Sequence, residues 1–423
     1  MSCNKSPRTI HSCGTVLLIV LFGLLQAACG GGGGSTATTT TLPVTTPPAI
    51  TPPVTTPPVA VSNTQPLVID AGPADTVNTL FTSVTVCVPG STTSCQTIDH
   101  IQVDTGSVGL RLLASVVQPS LKLPQNTATN GNALVECTQF ADGYSWGPVR
   151  SADVRLAGQT ASAVPIQIIG DAAFTVVPAD CSSSGPAENT VKAFGANGIL
   201  GIGNFTNDCG IACATSSAPG AYYACSAASC LPTTASATQQ VQHPVAMLTT
   251  NNNGVVLQLP AIAEPGATAT TGTMTFGIGT QANNALGTAK VLTIDPLDGT
   301  FNITLAGKTY PGSFIDSGSN AYFYPSPSTP LCTSGFFCPA SPQALSVLIQ
   351  GKNGANSLFN FNITNADSLF SQYPTFTVLP TLGGAGFDNT TVDLGIGFYL
   401  GRSVYTAIEG RSTPGGVGPF IAF

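Results

Sequence analysis

Apolar and polar positions alternate in short runs along most of this chain, punctuated by Gly, Pro, Asn and Ser. The clearest runs cover residues 80–88, 98–103, 163–169, 254–259, 271–278, 301–305 and 375–379. Alternation with a period of two, bounded by turn residues, predicts half-buried β-strands in close succession. Helix candidates are few. Residues 341–350 are the best of them, and residues 401–408 read as one more strand. The pattern predicts an all-β protein, with too much chain for one small barrel.

The first 63 residues break this pattern. Residues 1–28 begin with Lys5 and Arg8, continue through an apolar run at 16–25 and end in small residues, the order of a secretory signal. The run is shorter than the ~20 residues that a spanning helix needs. It ends Leu24-Leu25-Gln26-Ala27-Ala28-Cys29, followed by five glycines. This resembles a bacterial lipobox, which implies acylation of Cys29; Gln26 stands where an aliphatic residue is usual. Ordinary signal cleavage with an incidental Cys29 is the alternative. By the same resemblance, Gly30 after the cysteine implies the outer membrane, on its periplasmic face or at the cell surface. Residues 30–63 carry no Asp, Glu, Lys or Arg and repeat Thr-Thr-Pro-Pro, which predicts an extended polyproline stalk. The organisation expected is a signal at 1–28, a lipidated stalk at 29–63 and two β-lobes at 64–245 and 246–423.

Composition narrows the function. Only 7% of residues are charged and the net charge is −7, which excludes the basic footprint of a nucleic-acid binder. Of 13 cysteines, Cys3 and Cys13 leave with the signal and Cys29 takes the lipid, so ten remain. An even number in an exported chain predicts up to five disulfides, with Cys87–Cys95 and Cys332–Cys338 as local closures. Metal binding by Cys209, Cys213, Cys225 and Cys230 is the rival reading. Their spacing fits no zinc pattern well and histidine is scarce. No metal and no cofactor are expected.

The chain also repeats itself. Ile101-Gln102-Val103-Asp104-Thr105-Gly106-Ser107 returns as Ser313-Phe314-Ile315-Asp316-Ser317-Gly318-Ser319, and Leu200-Gly201-Ile202-Gly203 returns as Leu394-Gly395-Ile396-Gly397. Two halves with one order of elements suggest two lobes about an internal pseudo-dyad. A lone Asp-Thr-Gly is a weak signal. One Asp-[Thr/Ser]-Gly-Ser per half, each after a β-branched residue and each followed by Leu-Gly-Ile-Gly, is far more specific.

On these residues the body resembles the pepsin-like aspartic peptidases over most of 64–423. The resemblance implies a bilobal fold with a cleft between two β-lobes, Asp104 and Asp316 as the catalytic pair, and Thr105 and Ser317 as the hydroxyls joining the two turns. Ser107 and Ser319 would bond the aspartates, Gly106 and Gly318 would let the turns approach, and Gly201 would complete the first site. Phe140, Asp142 and Gly143 match the flap hairpin. Two carboxyls about 3 Å apart cannot both ionise; they share one proton and activate a water between them. The expected partners are an extended peptide or protein substrate and, through the lipid, a membrane; the protein is expected to act as a monomer. Two residues depart from the family pattern: Phe140 replaces the usual flap Tyr and Arg111 the usual Trp, with Tyr144 and Trp146 as nearby substitutes. A catalytically idle surface binding or adhesion lipoprotein is the alternative function. His100 and His243 read as structural. No His-Glu-x-x-His occurs, so a zinc-peptidase reading fails, and with His11 in the signal only His100 and His243 remain to serve a serine hydrolase, which disfavours that reading too. Tyr222-Tyr223 and Phe336-Phe337 read as packing aromatics.

Overall fold

A computed structural model describes residues 62–227 and 229–423. The signal segment, Cys29 and the stalk as far as residue 61 lie outside the described residues. Strand makes up 42% and helix 10%, so the protein is all-β. The first half supplies β1 (Thr64–Ile69), β2 (Leu80–Cys87), β3 (Cys95–Asp104), β4 (Val108–Leu113), β5 (Ala133–Gln139), β6 (Tyr144–Leu156), β7 (Gln159–Ile169), β8 (Gly198–Ile202), β9 (Tyr222–Cys225) and β10 (Cys230–Pro232). The second supplies β11 (Gly254–Leu259), β12 (Thr270–Phe276), β13 (Val291–Thr293), β14 (Phe301–Leu305), β15 (Lys308–Ile315), β16 (Tyr322–Tyr324), β17 (Gln343–Gln350) and β18 (Asn356–Ile363). It ends with β19 (Gly383–Ala385), β20 (Asp393–Leu394), β21 (Arg402–Ala407), β22 (Ser412–Thr413), β23 (Gly416–Val417) and β24 (Phe420–Ala422).

Six strands in the order β2-β3-β8-β4-β7-β6 close into a barrel through pairing of β6 with β2. Its central strands are apolar without a break because both faces are covered; every residue of β4 and β8 is buried. β1 carries the sheet onward. It pairs with β2 at its end and with β12 along its whole length, Thr64↔Thr275 to Ile69↔Thr270, and β11, β21, β24 and β13 follow. A second sheet runs β18-β17-β14-β15-β20-β16-β19. Alternation sets its faces: Phe359, Phe361 and Ile363 of β18 point inward while the asparagines between them face out.

Two expectations are corrected. Residues 341–350 contain no helix: β17 pairs with β18 over eight positions, Gln343↔Ile363 to Gln350↔Asn356. Val347 and Ile349 are buried and Leu348 is 37% exposed, a period of two imposed by the partner strand. Residues 375–379 form only an isolated bridge from Val378 to Ala267, because Pro374 and Pro380 bracket them and proline cannot donate to a ladder.

The ten cysteines of the folded part form five disulfides: Cys87–Cys95, Cys137–Cys181, Cys209–Cys213, Cys225–Cys230 and Cys332–Cys338. That pairing is consistent with an exported protein. Four of them close short loops. Cys137–Cys181 spans 44 residues, a closure worth about 4 kcal/mol on chain-entropy grounds. Among the described residues no helix is long and apolar enough to cross a membrane.

Candidate active site

The repeated sequence is also a repeated structure. β3 lies parallel to β8, with Asp104 opposite Gly201, and β8 lies antiparallel to β4, which is parallel to β7. In the second half β15 lies parallel to β20, β20 antiparallel to β16, and β16 parallel to β19. Each aspartate therefore leaves the end of a strand wedged between buried neighbours. Gly201 is required by packing, since a Cβ there would stand 2.5 Å from the Val108 nitrogen.

The two turns after these strands bond to each other. Thr105 N–H donates to Ser317 Oγ at 3.2 Å and Ser317 N–H donates to Thr105 Oγ1 at 3.0 Å. Ser317 Oγ–H in turn donates to Val103 O at 2.9 Å, and Gln102 Nε2 donates to Gly318 O at 2.9 Å. These bonds bring Asp104 and Asp316 together. The Gly106 N–H serves both carboxylates, Asp104 Oδ1 at 2.7 Å and Asp316 Oδ1 at 3.0 Å. Gly318 N–H donates to Asp316 Oδ1 at 2.8 Å, Ser319 Oγ to Asp316 Oδ2 at 3.1 Å, and Ser107 Oγ to Asp104 Oδ2. Each glycine passes the opposite carboxylate: a Cβ at Gly106 would lie 2.7 Å from Asp316 Oδ2, and one at Gly318 2.5 Å from Asp104 Oδ1. Both aspartates are buried, at 5% and 8% exposure. Burial, then Asp104, then Asp393 push the Asp316 carboxyl well above the usual range.

A family model described as "Protein of unknown function (DUF3443)" matches residues 59–423, the whole of the folded part. The chain belongs to the DUF3443 family. No curated protein matches it.

The remaining candidates of this DUF3443 chain fall in two groups. The hairpin between β5 and β6 is closed by Phe140 N–H to Gly143 O at 2.8 Å. It is gripped by residues 185–188: Tyr144 N–H donates to Pro186 O at 3.0 Å and Glu188 N–H to Tyr144 O at 2.8 Å. Burial and the adjacent Asp142 carboxyl push Glu188 up to about 8. Phe140 packs edge-on against Phe194, and among the described residues the hairpin makes no hydrogen bond to either aspartate. Trp146 donates its ring N–H to Phe174 O at 2.9 Å, so that donor is committed elsewhere.

Arg111 belongs to a buried ionic cluster under β4. Its Nη2 contacts Glu136 Oε1 at 2.6 Å and Asp208 Oδ2 at 3.2 Å, Nε donates to Thr138 Oγ1 at 2.9 Å, and Nη1 to Val108 O at 2.7 Å. The Tyr222 hydroxyl donates to Asp208 Oδ1 at 2.7 Å. Burial works against the guanidinium charge, but Glu136 and Asp208 outweigh it; burial and Glu136 push Asp208 well up. His100 lies 3.4 Å from Asp70, and His243 is buried, with burial lowering it to about 4, so it is neutral. Tyr222, Tyr223 and Phe337 are buried packing residues.

Three residues of the site were missed. Tyr399 OH meets Thr105 Oγ1 at 2.7 Å. Asn78 joins the halves beside the second turn, donating to Asn320 O at 2.8 Å and Leu379 O at 2.9 Å and accepting from Leu379 N–H at 2.7 Å. Asp393, on β20, is wholly buried. Of these, only Asp393 had a local signal, an acid inside an apolar strand.

Proposed function

We propose that this chain is a membrane-tethered aspartic endopeptidase of bilobal, pepsin-like build, with Asp104 and Asp316 as its catalytic pair. The observation that carries this reading is the reciprocal bonding of two turns 212 residues apart, which puts two buried carboxyls on one backbone N–H. A pair so close holds one proton between its members. Burial and neighbouring carboxyls favour that proton on Asp316. Asp104 then takes a proton from a water, whose oxygen attacks the peptide carbonyl carbon. Asp316 gives its proton to the carbonyl oxygen. Collapse of the tetrahedral species returns one hydroxyl proton to Asp316 and breaks the C–N bond, and the amine departs with the proton held by Asp104. The substrate is an extended peptide, bound through its backbone. Five disulfides suit an exported protein, and the lipid on Cys29 would anchor it at the outer membrane.

One observation favours a non-catalytic binding lipoprotein: Phe140 stands where a flap hydroxyl would donate to a substrate. The test is cleavage of a peptide library by the full chain in detergent from pH 3 to 7, with and without pepstatin. Acid-favoured cleavage that falls at least about 100-fold in Asp104→Asn and in Asp316→Asn is expected. No cleavage by folded, disulfide-intact protein, or full activity in either variant, rejects the peptidase.

A further inference from the structure

Arg402 opens β21, and its half-buried guanidinium lies over two rings, 4.7 Å from the centre of Phe359 and 4.4 Å from that of Phe398. Four other arginines belong to the folded part, and each donates to a protein acceptor: Arg111 to Glu136, Arg150 to Asp171, Arg155 to Ser91 O and Arg411 to Ala246 O. Arg402 is different. Among the described residues its guanidinium donates to no oxygen and has no carboxylate within ion-pair distance. Ring faces attract the charge but leave the N–H groups at the edge of the guanidinium without oxygen acceptors.

The guanidinium lines a pocket of about 330 Å³, large enough for a small ligand. Tyr322, Phe359, Phe361 and Leu400 give it apolar walls, and neither Asp104 nor Asp316 is among them. Two hydroxyls stand in the same walls. Tyr322 is 3% exposed, and its OH makes no hydrogen bond among the described residues. A Cβ at Gly397, also in the wall, would lie 2.5 Å from that oxygen, so glycine keeps the hydroxyl uncovered. Thr381 is 2% exposed, and its Oγ1 has no partner among the described residues either. Buried hydroxyls are rarely left this way. Glu264 stands at the exposed rim, where Asn362 Nδ2 donates to its Oε1 at 2.7 Å.

We propose that this pocket binds a carboxylate carried on an apolar or aromatic body, with Arg402 as the anchor and Tyr322 as a second donor. The planar fork of an arginine takes both oxygens of a carboxylate, and the phenol donates to one of them. Phe359 and Phe361 supply ring faces for the body of the ligand. The charge count selects the ligand. One guanidinium balances one negative charge. A phosphate would bring up to two, with no second cation in the walls and the Glu264 carboxylate at the rim to repel it. Two sources carry the group: the C-terminal residue of a peptide, and a free aromatic acid. The inference needs no activity at the aspartate pair, which lies outside the walls of this pocket.

The test is isothermal titration calorimetry of the full chain in detergent at pH 7. The probes are phenylpropionate and the acetylated tripeptide Ac-Gly-Gly-Phe, each as the free acid and as its amide. At least one acid should bind at least about 10-fold more tightly than its amide. Arg402→Gln should lose at least about 10-fold in that affinity and Tyr322→Phe about threefold. Tighter binding of the tripeptide acid than of phenylpropionate assigns the pocket to peptide C-termini; equal or weaker binding assigns it to a free acid. No binding by either acid, no preference for acid over amide, or an unchanged affinity in folded Arg402→Gln overturns the proposal. If Arg402→Gln does not fold, Tyr322→Phe decides, because it keeps the ring packed 4.4 Å from Phe361 and removes only the donor; wild-type affinity there rejects the site.

Discussion

Replacing Arg111 with Met tests whether the cluster under β4 is a structural ion network. The side chains of Arg111 and Glu136 are each 1% exposed and that of Asp208 is 7% exposed, so water cannot take over the missing contacts. Met retains much of the volume and removes the charge. Two carboxyls would then share a buried site with no cation, at a cost of about 3–5 kcal/mol. Adding Glu136→Gln and Asp208→Asn removes the orphaned charges and should restore most of that loss, because the penalty lies in the unpaired charge and not in the missing bonds. Acid should also rescue the single variant. Burial already raises Asp208 and the guanidinium opposes that rise, so without it the Asp208 carboxyl goes higher still, its protonated form is tolerated near pH 4 and the penalty grows as pH rises. Urea unfolding at pH 7.5 and pH 4.5, with the disulfides intact, measures this. At an m of about 3 kcal/mol/M the midpoint should drop by about 1 M at pH 7.5. A loss below about 1 kcal/mol at pH 7.5, or no recovery in the triple variant, would refute the reasoning.

Two further outcomes are expected. In Gly318→Ala the new methyl would lie 2.5 Å from Asp104 Oδ1, so the carboxylate must rotate out of the pair. Cleavage should fall about 100-fold while the five disulfides still form; full activity would count against the close approach of the turns. Wild-type stability should decline between pH 6.5 and 8. Over that range the folded chain keeps protons on Asp393 and Glu188 that the unfolded chain has released; His243 is neutral when folded and, once unfolded, is mostly neutral above pH 7, where the decline is read most cleanly. For fully buried Asp393 the slope is about 1.4 kcal/mol per pH unit, lost as pH rises through about 8 and absent in Asp393→Asn. Chemical denaturation across that range checks it, and stability that rises with pH would contradict it.

The strands and the two Asp-x-Gly-Ser turns were legible because their signals are local: alternation and short motifs need no knowledge of distant chain. β11 and β14 begin and end where the pattern put them. Residues 341–350 misled because Leu345, Leu348 and Ile349 also fit the spacing of a helix face, and only pairing with β18 decides between the periods. The contacts that hold the site were not legible. Asn78 reaches Leu379 across 301 positions, Tyr399 reaches Thr105 across 294, and β1 pairs with a strand some 200 residues away. Arg111 read as a lost flap contact, whereas its partners Glu136 and Asp208 lie 25 and 97 residues on, with no motif to connect them.

Arg111 and Asp393 occupy the same cross-strand pair in the two halves. Arg111 on β4 stands opposite Ile199 on β8, and Phe323 on β16 stands opposite Asp393 on β20. Each half thus sets one ionisable residue against one apolar residue in this pair, a base in the first half and an acid in the second, on opposite strands. Their hydrogen bonds separate the two roles. Arg111 commits four of its five N–H donors to Glu136, Asp208, Thr138 and Val108, so its charge is held inside the first half. Neither oxygen of Asp393 has a hydrogen-bond partner within ordinary distance among the described residues. A satisfied buried charge fixes structure, and a buried acid left unsatisfied stays neutral. The first half therefore keeps its charge away from the pair and the second brings an acid toward it. That difference would make Asp104 and Asp316 unequal in a frame that otherwise treats them alike.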